Sequence, residues 1–250
     1  MKTLFDRINS KQLMLHTFLK SVNKKTALVL LTCCHAIIGL GQVSKHDSLS
    51  ILPKKNIFAL QAQVHLGKMI KIYPQFPKTN FINLNELNFS WQTTGKKEWN
   101  QLYHYPRIGI TLIYGYLDNN KVLGQNISLV PNISFETHTA KRFMFQTRFG
   151  MGFSYFTKHY DALTNPTNNV IGASITNITF LTEDLNFKAT KNLNLNFGIG
   201  TFHCSDGHYQ LPNLGANMPA LNFGFTYFPQ AVPEFYHHDT ITKPTKKATT

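Results

Sequence analysis

The chain has 250 residues, 25 Lys and Arg against 12 Asp and Glu, a formal net charge of +13, 42% hydrophobic and 13% aromatic residues. No linker or shift in composition divides it, which argues for one domain. Of its three cysteines, Cys33 and Cys34 lie in the N-terminal segment described next, so a chain without that segment keeps only Cys204 and cannot form an intrachain disulfide.

Lys2, Arg7, Lys11, Lys20, Lys24 and Lys25 precede an apolar run from Ala27 to Leu40, which ends in the small-residue stretch Gly39-Leu40-Gly41-Gln42. A basic front, an apolar core and small residues behind it predict a signal peptide over residues 1–42, with Met14 as an alternative start. A single membrane anchor is the rival reading, but the run is short of the roughly 20 residues that a spanning helix needs. "LTCC" at Leu31 to Cys34 is only a weak match to a lipoprotein cleavage site, because Thr32 precedes Cys33 and a second Cys follows. Removing this segment leaves the chain basic, which suits anionic lipid head groups, and export argues against a nucleic-acid partner.

Beyond the signal the pattern is period two. Phe58, Leu60, Ala62, Val64 and Leu66 alternate with more polar neighbours, then Leu87, Phe89 and Trp91. Ile108, Ile110, Leu112, Tyr114 and Tyr116 follow, then Ile127, Leu129, Ile133 and Phe135. Phe143, Phe145, Phe149, Met151, Phe153 and Tyr155 oppose Gln146, Arg148, Gly150, Gly152 and Ser154. Ile171 to Ala189 is noisier; Leu193, Leu195, Phe197 and Ile199 oppose Asn194, Asn196, Gly198 and Gly200, and Leu221, Phe223, Phe225 and Tyr227 close the series. Eight strands are expected. One face is bulky and aromatic and the other is Gly, Asn, Gln, Ser and Arg, which fits a lipid-facing exterior around a narrow, polar-filled lumen; a lipocalin-like soluble barrel would need the bulky face inside. The expected fold is therefore all-β, an eight-stranded antiparallel transmembrane β-barrel over 43–228, with a flexible periplasmic tail over 229–250.

Entered from the periplasm, odd strands run outward and even strands return. "THTAKR" and "TKN" are then short periplasmic turns, whereas "TTGKKEWNQLYHYPR" is a periplasmic connection that breaks the rule of short turns. Strand seven ends near Phe202 and His203 at the outer-leaflet level. His203 and, if the strand continues, Ser205 share the odd parity of the lipid-facing residues, where polar side chains are costly unless they act on something in the membrane. An imidazole and a hydroxyl at i and i+2 on one face could form a base-activated serine nucleophile. Taken alone, His-x-Ser is also what an exposed polar loop contains by chance.

At these residues the chain resembles the outer-membrane lipid A deacylases of the PagL type, also labelled acyloxyacyl hydrolases in Bacteroidetes. The resemblance runs from roughly Ile57 to Phe228 through "WQTTGKKEWNQLYHYPRIGI", "VLGQ", "NPTNNVIGA" and above all "HCSDGHYQLPNLGAN". The family motif is His-x-Ser-Asn, then Pro-Asn-x-Gly, then an acid two positions on. The resemblance implies His203 as base and Ser205 as nucleophile, with Pro212, Asn213 and Gly215 matching the loop, on the outer wall of an eight-stranded barrel. Two positions depart: Asp206 stands where the family has Asn, and Asn217 stands where it has the acid that orients the His. The expectation is that the acid has moved, so that Asp206 serves His203 while backbone N–H groups of Gly207 and His208 supply oxyanion donors. A degenerate site on an intact barrel is the competing reading.

His237, His238 and Asp239 lie in a Pro-, Thr- and Lys-rich tail without a second cluster, so no metal is expected. His208 could be a second base or a head-group contact, and Lys158 and His159 are read as contacts to lipid phosphates. The expected function is removal of an ester-linked acyl chain from lipid A in the outer membrane of a Gram-negative cell, without a cofactor. The different-class alternative is a non-catalytic barrel that binds lipopolysaccharide or envelope partners. The sequence leaves open whether the barrel forms a homodimer.

Overall fold

The computed structural model describes residues 57–230 except 72, 94–96, 104 and 138–141. The signal peptide, the Cys33-Cys34 pair and the His237-His238-Asp239 group lie outside the described residues. Eight strands follow in chain order: β1 (Phe58–Gly67), β2 (Ile82–Gln92), β3 (Arg107–Tyr116), β4 (Gln125–Glu136), β5 (Phe143–Phe156), β6 (Ile175–Lys188), β7 (Leu193–Ser205) and β8 (Ala216–Tyr227). Each pairs antiparallel with its sequence neighbour, and β8 pairs back onto β1 to close a barrel. Closure leaves no strand edge unpaired, which a bilayer without water demands.

The period-two pattern reads directly as inside and outside. In β3, Ile108, Ile110, Leu112, Tyr114 and Tyr116 are exposed while Arg107, Gly109, Thr111, Ile113 and Gly115 are buried. The same alternation runs through β5, where Phe145, Phe149, Met151, Phe153 and Tyr155 point outward. Pro131 faces outward in β4, where its missing N–H falls at the gap in the β4–β5 pairing between Leu129↔Phe153 and Asn132↔Gly150.

The lumen differs from the polar filling expected. Its middle is polar: Arg148 donates to Glu86 Oε1 at 2.5 Å and Oε2 at 2.8 Å, and His65 bridges Glu86 (3.0 Å) and Asn222 (2.7 Å). Nearer the outer rim, Leu84, Ile113, Val130, Phe156, Ile178, Phe180, Phe202 and Met218 are buried together. Loop residues Leu117, Leu123, Val170 and Ile171 pack into the same cluster and cover this plug. Phe202 joins the two layers, 4.7 Å from the His65 ring and 5.7 Å from Phe180.

The outer loops brace one another. Asn168 is fully buried and donates to Val122 O (2.8 Å), while its Oδ1 accepts from Ile171 N (3.1 Å). Asn169 donates to Gln75 O (3.1 Å) in the first loop. Leu214 N donates to Asn169 O (3.0 Å) and Gly215 N to Val170 O (3.1 Å), so the β7–β8 loop rests on the β5–β6 loop. At the opposite end of the barrel, the connection expected to break the rule of short turns holds a short helix, α1 (Glu98–Leu102), and Gln92 Nε2 donates to Tyr105 O, which ties its end to β2.

Candidate active site

β7 continues to Ser205, so His203 and Ser205 share its outward face, as their parity required, with Phe202 and Cys204 buried behind them. Register places His203 opposite Asn217 on β8 and Thr179 on β6, and Ser205 opposite Asn177. The His203 Nδ1 lies 2.8 Å from Asn217 Oδ1. With the amide oxygen as acceptor Nδ1 is the donor, and the neutral tautomer that makes this bond presents Nε2 as the acceptor.

After Ser205 the chain turns through Gly207 and His208, both with φ of +67°, a left-handed step that glycine takes without strain. That turn points the Gly207 N–H back at Ser205 Oγ, 3.2 Å away. The buried Asn213 donates to the same Oγ at 2.9 Å, and its Nδ2 also donates to Asp206 Oδ1. The Ser205 hydroxyl thus sits before two N–H donors from a single loop. Gly215, with φ of +72°, packs beneath: a Cβ there would meet His203 Cε1 at 3.2 Å and Ser205 Cβ at 3.7 Å, so serine and imidazole flank one glycine. No His203–Ser205 hydrogen bond forms in this structure.

His203, Ser205, Asp206, Gly207, Asn213 and Asn217 are brought together, whereas His208 is exposed on the turn with its ring outside this network. The expectation that Asp206 takes over the orienting acid's place does not match its position. Asp206 Oδ1 holds Asn213, its Oδ2 is buried against Gly172 without a partner, and the imidazole is held by Asn217. The reason is local: Asp206 is the first residue of the loop, where the chain leaves the strand and turns its side chain away from the outward row. Sequence reading passed over Asn177 and Thr179, whose side chains continue the polar row beside Ser205 and His203, with Thr179 Oγ1 donating to Asn177 Oδ1 at 3.0 Å. Their odd numbers inside the noisy Ile171–Ala189 stretch were the available signal.

Below this row the outer wall carries a groove of about 610 Å³. Leu181 and Glu183 of β6, Ile199 and Thr201 of β7, Pro219 and Leu221 of β8 and Lys68 after β1 line it.

A family model described as "Lipid A 3-O-deacylase (PagL)" matches residues 85–226, more than half of the chain. The chain belongs to the PagL family. The family is one of outer-membrane barrels, and the closed eight-stranded barrel with an aromatic exterior places this member in the outer membrane too. Among solved structures, that of the outer membrane enzyme PagL is similar at 16% identity, covering 66% of this chain and 97% of that one, with a TM-score of 0.46. Neisserial surface protein A is similar at 9% identity, covering 68% and 96%, with a TM-score of 0.43. The N-terminal β-barrel domain of Pseudomonas aeruginosa OprF follows at 11% identity, covering 69% and 100%, with a TM-score of 0.40. No curated relative matches the chain. The homodimer that the sequence admits has no support in these matches.

Proposed function

We propose that the protein is a serine esterase that removes an ester-linked acyl chain from lipid A in the outer leaflet. The observation that carries this reading is the pairing of an outward-facing His203 and Ser205 with two N–H donors aimed at the serine oxygen. The family name adds the substrate class and the 3-O position.

In the proposed reaction His203 Nε2 takes the Ser205 proton as Oγ attacks the ester carbonyl, and the Asn217 oxygen holds the ring in the required tautomer. The carbonyl oxygen, now an oxyanion, is met by the Gly207 N–H and the Asn213 amide. Collapse of the tetrahedral species breaks the ester C–O bond, and the sugar oxygen leaves with the proton from the imidazolium. Water, deprotonated by His203, then attacks the acyl-serine carbonyl, and the Oγ–C bond breaks as Ser205 takes that proton back, which releases the fatty acid. The serine lies on the lipid-facing wall, so the substrate reaches it by lateral diffusion. Asp206 acts through Asn213: its carboxylate fixes the amide that faces the oxyanion.

The second reading, a non-catalytic barrel that binds lipopolysaccharide, draws on one observation: the imidazole has an amide as its partner where the family motif has an acid. Mass spectrometry of lipid A from cells with and without the protein separates the two. The esterase reading expects loss of one acyl chain, abolished by Ser205→Ala in a barrel that still shifts on a heat-modifiability gel. Unchanged lipid A beside a correctly inserted barrel, or deacylation surviving Ser205→Ala, would sink it.

A further inference from the structure

Glu183 is a carboxylate on the lipid-facing wall. It alternates with Leu181 and Leu185 on the outward face of β6, is exposed, and opposes Ile199 on β7 and Thr147 on β5. Thr147 Oγ1 donates to its Oε2 at 2.8 Å, and no cation pairs with it among the described ion pairs. Ionisable groups within a membrane are costly, so one retained on the wall calls for a function.

Its position supplies one. Ser205 stands six residues above Ile199 on the same face of β7, which at about 3.3 Å per residue is about 20 Å along the strand. A strand tilt of about 40° turns this into about 15 Å of depth. That is half of a hydrocarbon core about 30 Å thick, so Glu183 sits near the bilayer midplane where outer-leaflet chains end. The groove includes Glu183 and on β7 reaches up to Thr201, four residues below Ser205, with Ile199, Pro219, Leu221 and Leu181 among its apolar lining. Followed strand by strand, the pairing registers return to β1 displaced outward, so each rung climbs from β6 towards β1. Glu183 is therefore the deep end of the groove and Lys68 the shallow end.

We infer that Glu183, held by Thr147, is the end-stop that sets the longest acyl chain the enzyme cleaves. The inference rests on the esterase reading above. A chain whose carbonyl is at Ser205 runs down β7 past Thr201 into the groove, and its methyl end meets the carboxylate. An extended chain advances about 1.3 Å per carbon, from bonds of about 1.5 Å. About 20 Å therefore accommodates roughly 14 to 16 carbons, and a longer chain must press methylenes against a polar group in an apolar setting.

The test measures kcat/KM of the full-length barrel in detergent on synthetic 3-O-acyl glucosamine phosphates whose ester chains run from about 10 to about 20 carbons. The wild type should lose about tenfold for each methylene beyond the cut-off, the scale on which an apolar pocket discriminates a methylene. Glu183→Leu should move the cut-off to longer chains, and Ile199→Trp, which fills the groove, should move it to shorter ones. Thr147→Val, which frees the carboxylate to swing aside, should blur the cut-off and serves if Glu183→Leu does not insert. Leu195→Trp, lower on the same strand face, should leave the cut-off in place. A wild-type profile without a cut-off, or a cut-off that Glu183→Leu and Ile199→Trp leave unmoved, overturns the inference while the esterase reading stands. Failure of the wild type to cleave any of the esters removes both.

Discussion

At Ser205 Oγ two N–H groups converge, and the residues that supply them differ in how replaceable they are. The Gly207 N–H is backbone and persists in any variant that keeps the turn. The Asn213 amide is a side chain, held by Asp206. Asn213→Ala should lower kcat about 10² to 10³-fold with little change in KM, the loss seen when an oxyanion donor is removed. Asp206→Asn keeps an acceptor for the Asn213 amide and removes a negative charge beside the developing oxyanion, so kcat should rise severalfold. A fall by orders of magnitude in that variant would instead assign Asp206 to the imidazole. Asn217→Asp supplies the carboxylate that imidazolium lacks and should raise kcat by at least about tenfold, since an amide in the acid's place costs up to about 10⁴ in a triad. An unchanged rate would mean that tautomer control alone suffices. Steady-state kinetics on purified barrel decides all three.

The active geometry is made by elements meeting at the outer rim. β7 and β8 present the His203–Asn217 rung, but the loop between them is shaped by the β5–β6 loop, which receives the Leu214 and Gly215 N–H groups. Asn168 is the clamp of that supporting loop, buried and bonded to Val122 O, Lys158 O and the Ile171 N–H. Asn168→Ala should remove the partner of Lys158 O and of the Val170 and Ile171 N–H groups, while Val122 O keeps the Asn165 amide, at about 1 to 3 kcal/mol for each group that stays buried. Local hydrogen exchange in the loop should rise and deacylation fall, while the barrel keeps its heat-modifiable shift. The same loop carries Asp161, whose carboxylate accepts the Thr164 N–H (2.7 Å) and hydroxyl (2.9 Å) and the Leu163 N–H (3.0 Å). These bonds hold its pKa below the ordinary 3.8. Its contribution is complete above that ordinary value and is lost as pH falls through the lowered one, so exchange at the Thr164 N–H should stay slow down to about pH 4.

Across the whole molecule, stability in the membrane depends on the closed hydrogen-bond ring and on the buried charges inside it. Arg148 donates to both oxygens of Glu86 and to Gln63 Oε1 (3.1 Å), and its guanidinium lies 5.1 Å from the Phe180 ring centre. Removing Arg148 leaves the buried Glu86 with His65 as its remaining partner, so Arg148→Met should cost about 3 to 5 kcal/mol, whereas Arg148→Met with Glu86→Gln should cost much less. Urea unfolding in detergent measures both, and equal losses in the single and double variants would show that the charges are not coupled.

The sequence by itself determined which residues face lipid. Parity alone placed Phe145, Phe149, Met151, Phe153 and Tyr155 outside and put His203 and Ser205 on the same wall, because side chains in a strand alternate whatever the neighbours do. It also located the strands to within a few residues, since bulky residues opposite Gly, Asn and Gln leave only one orientation in a narrow barrel. Tertiary structure decided what depends on neighbours distant in sequence. The apolar plug of Leu84, Ile113, Phe156, Phe180, Phe202 and Met218 lies under loop residues that pack into it, and alternation cannot tell an apolar interior residue from an irregularity. Asp206 could not be assigned from spacing: adjacent to Ser205 in sequence, it leaves the outward row at the strand end and turns to Asn213, while the more distant Asn217 comes opposite His203 through the β7–β8 register. Glu183 gained its meaning in the same way, because only the staggered closure of the barrel sets it at the foot of a groove that begins below the serine.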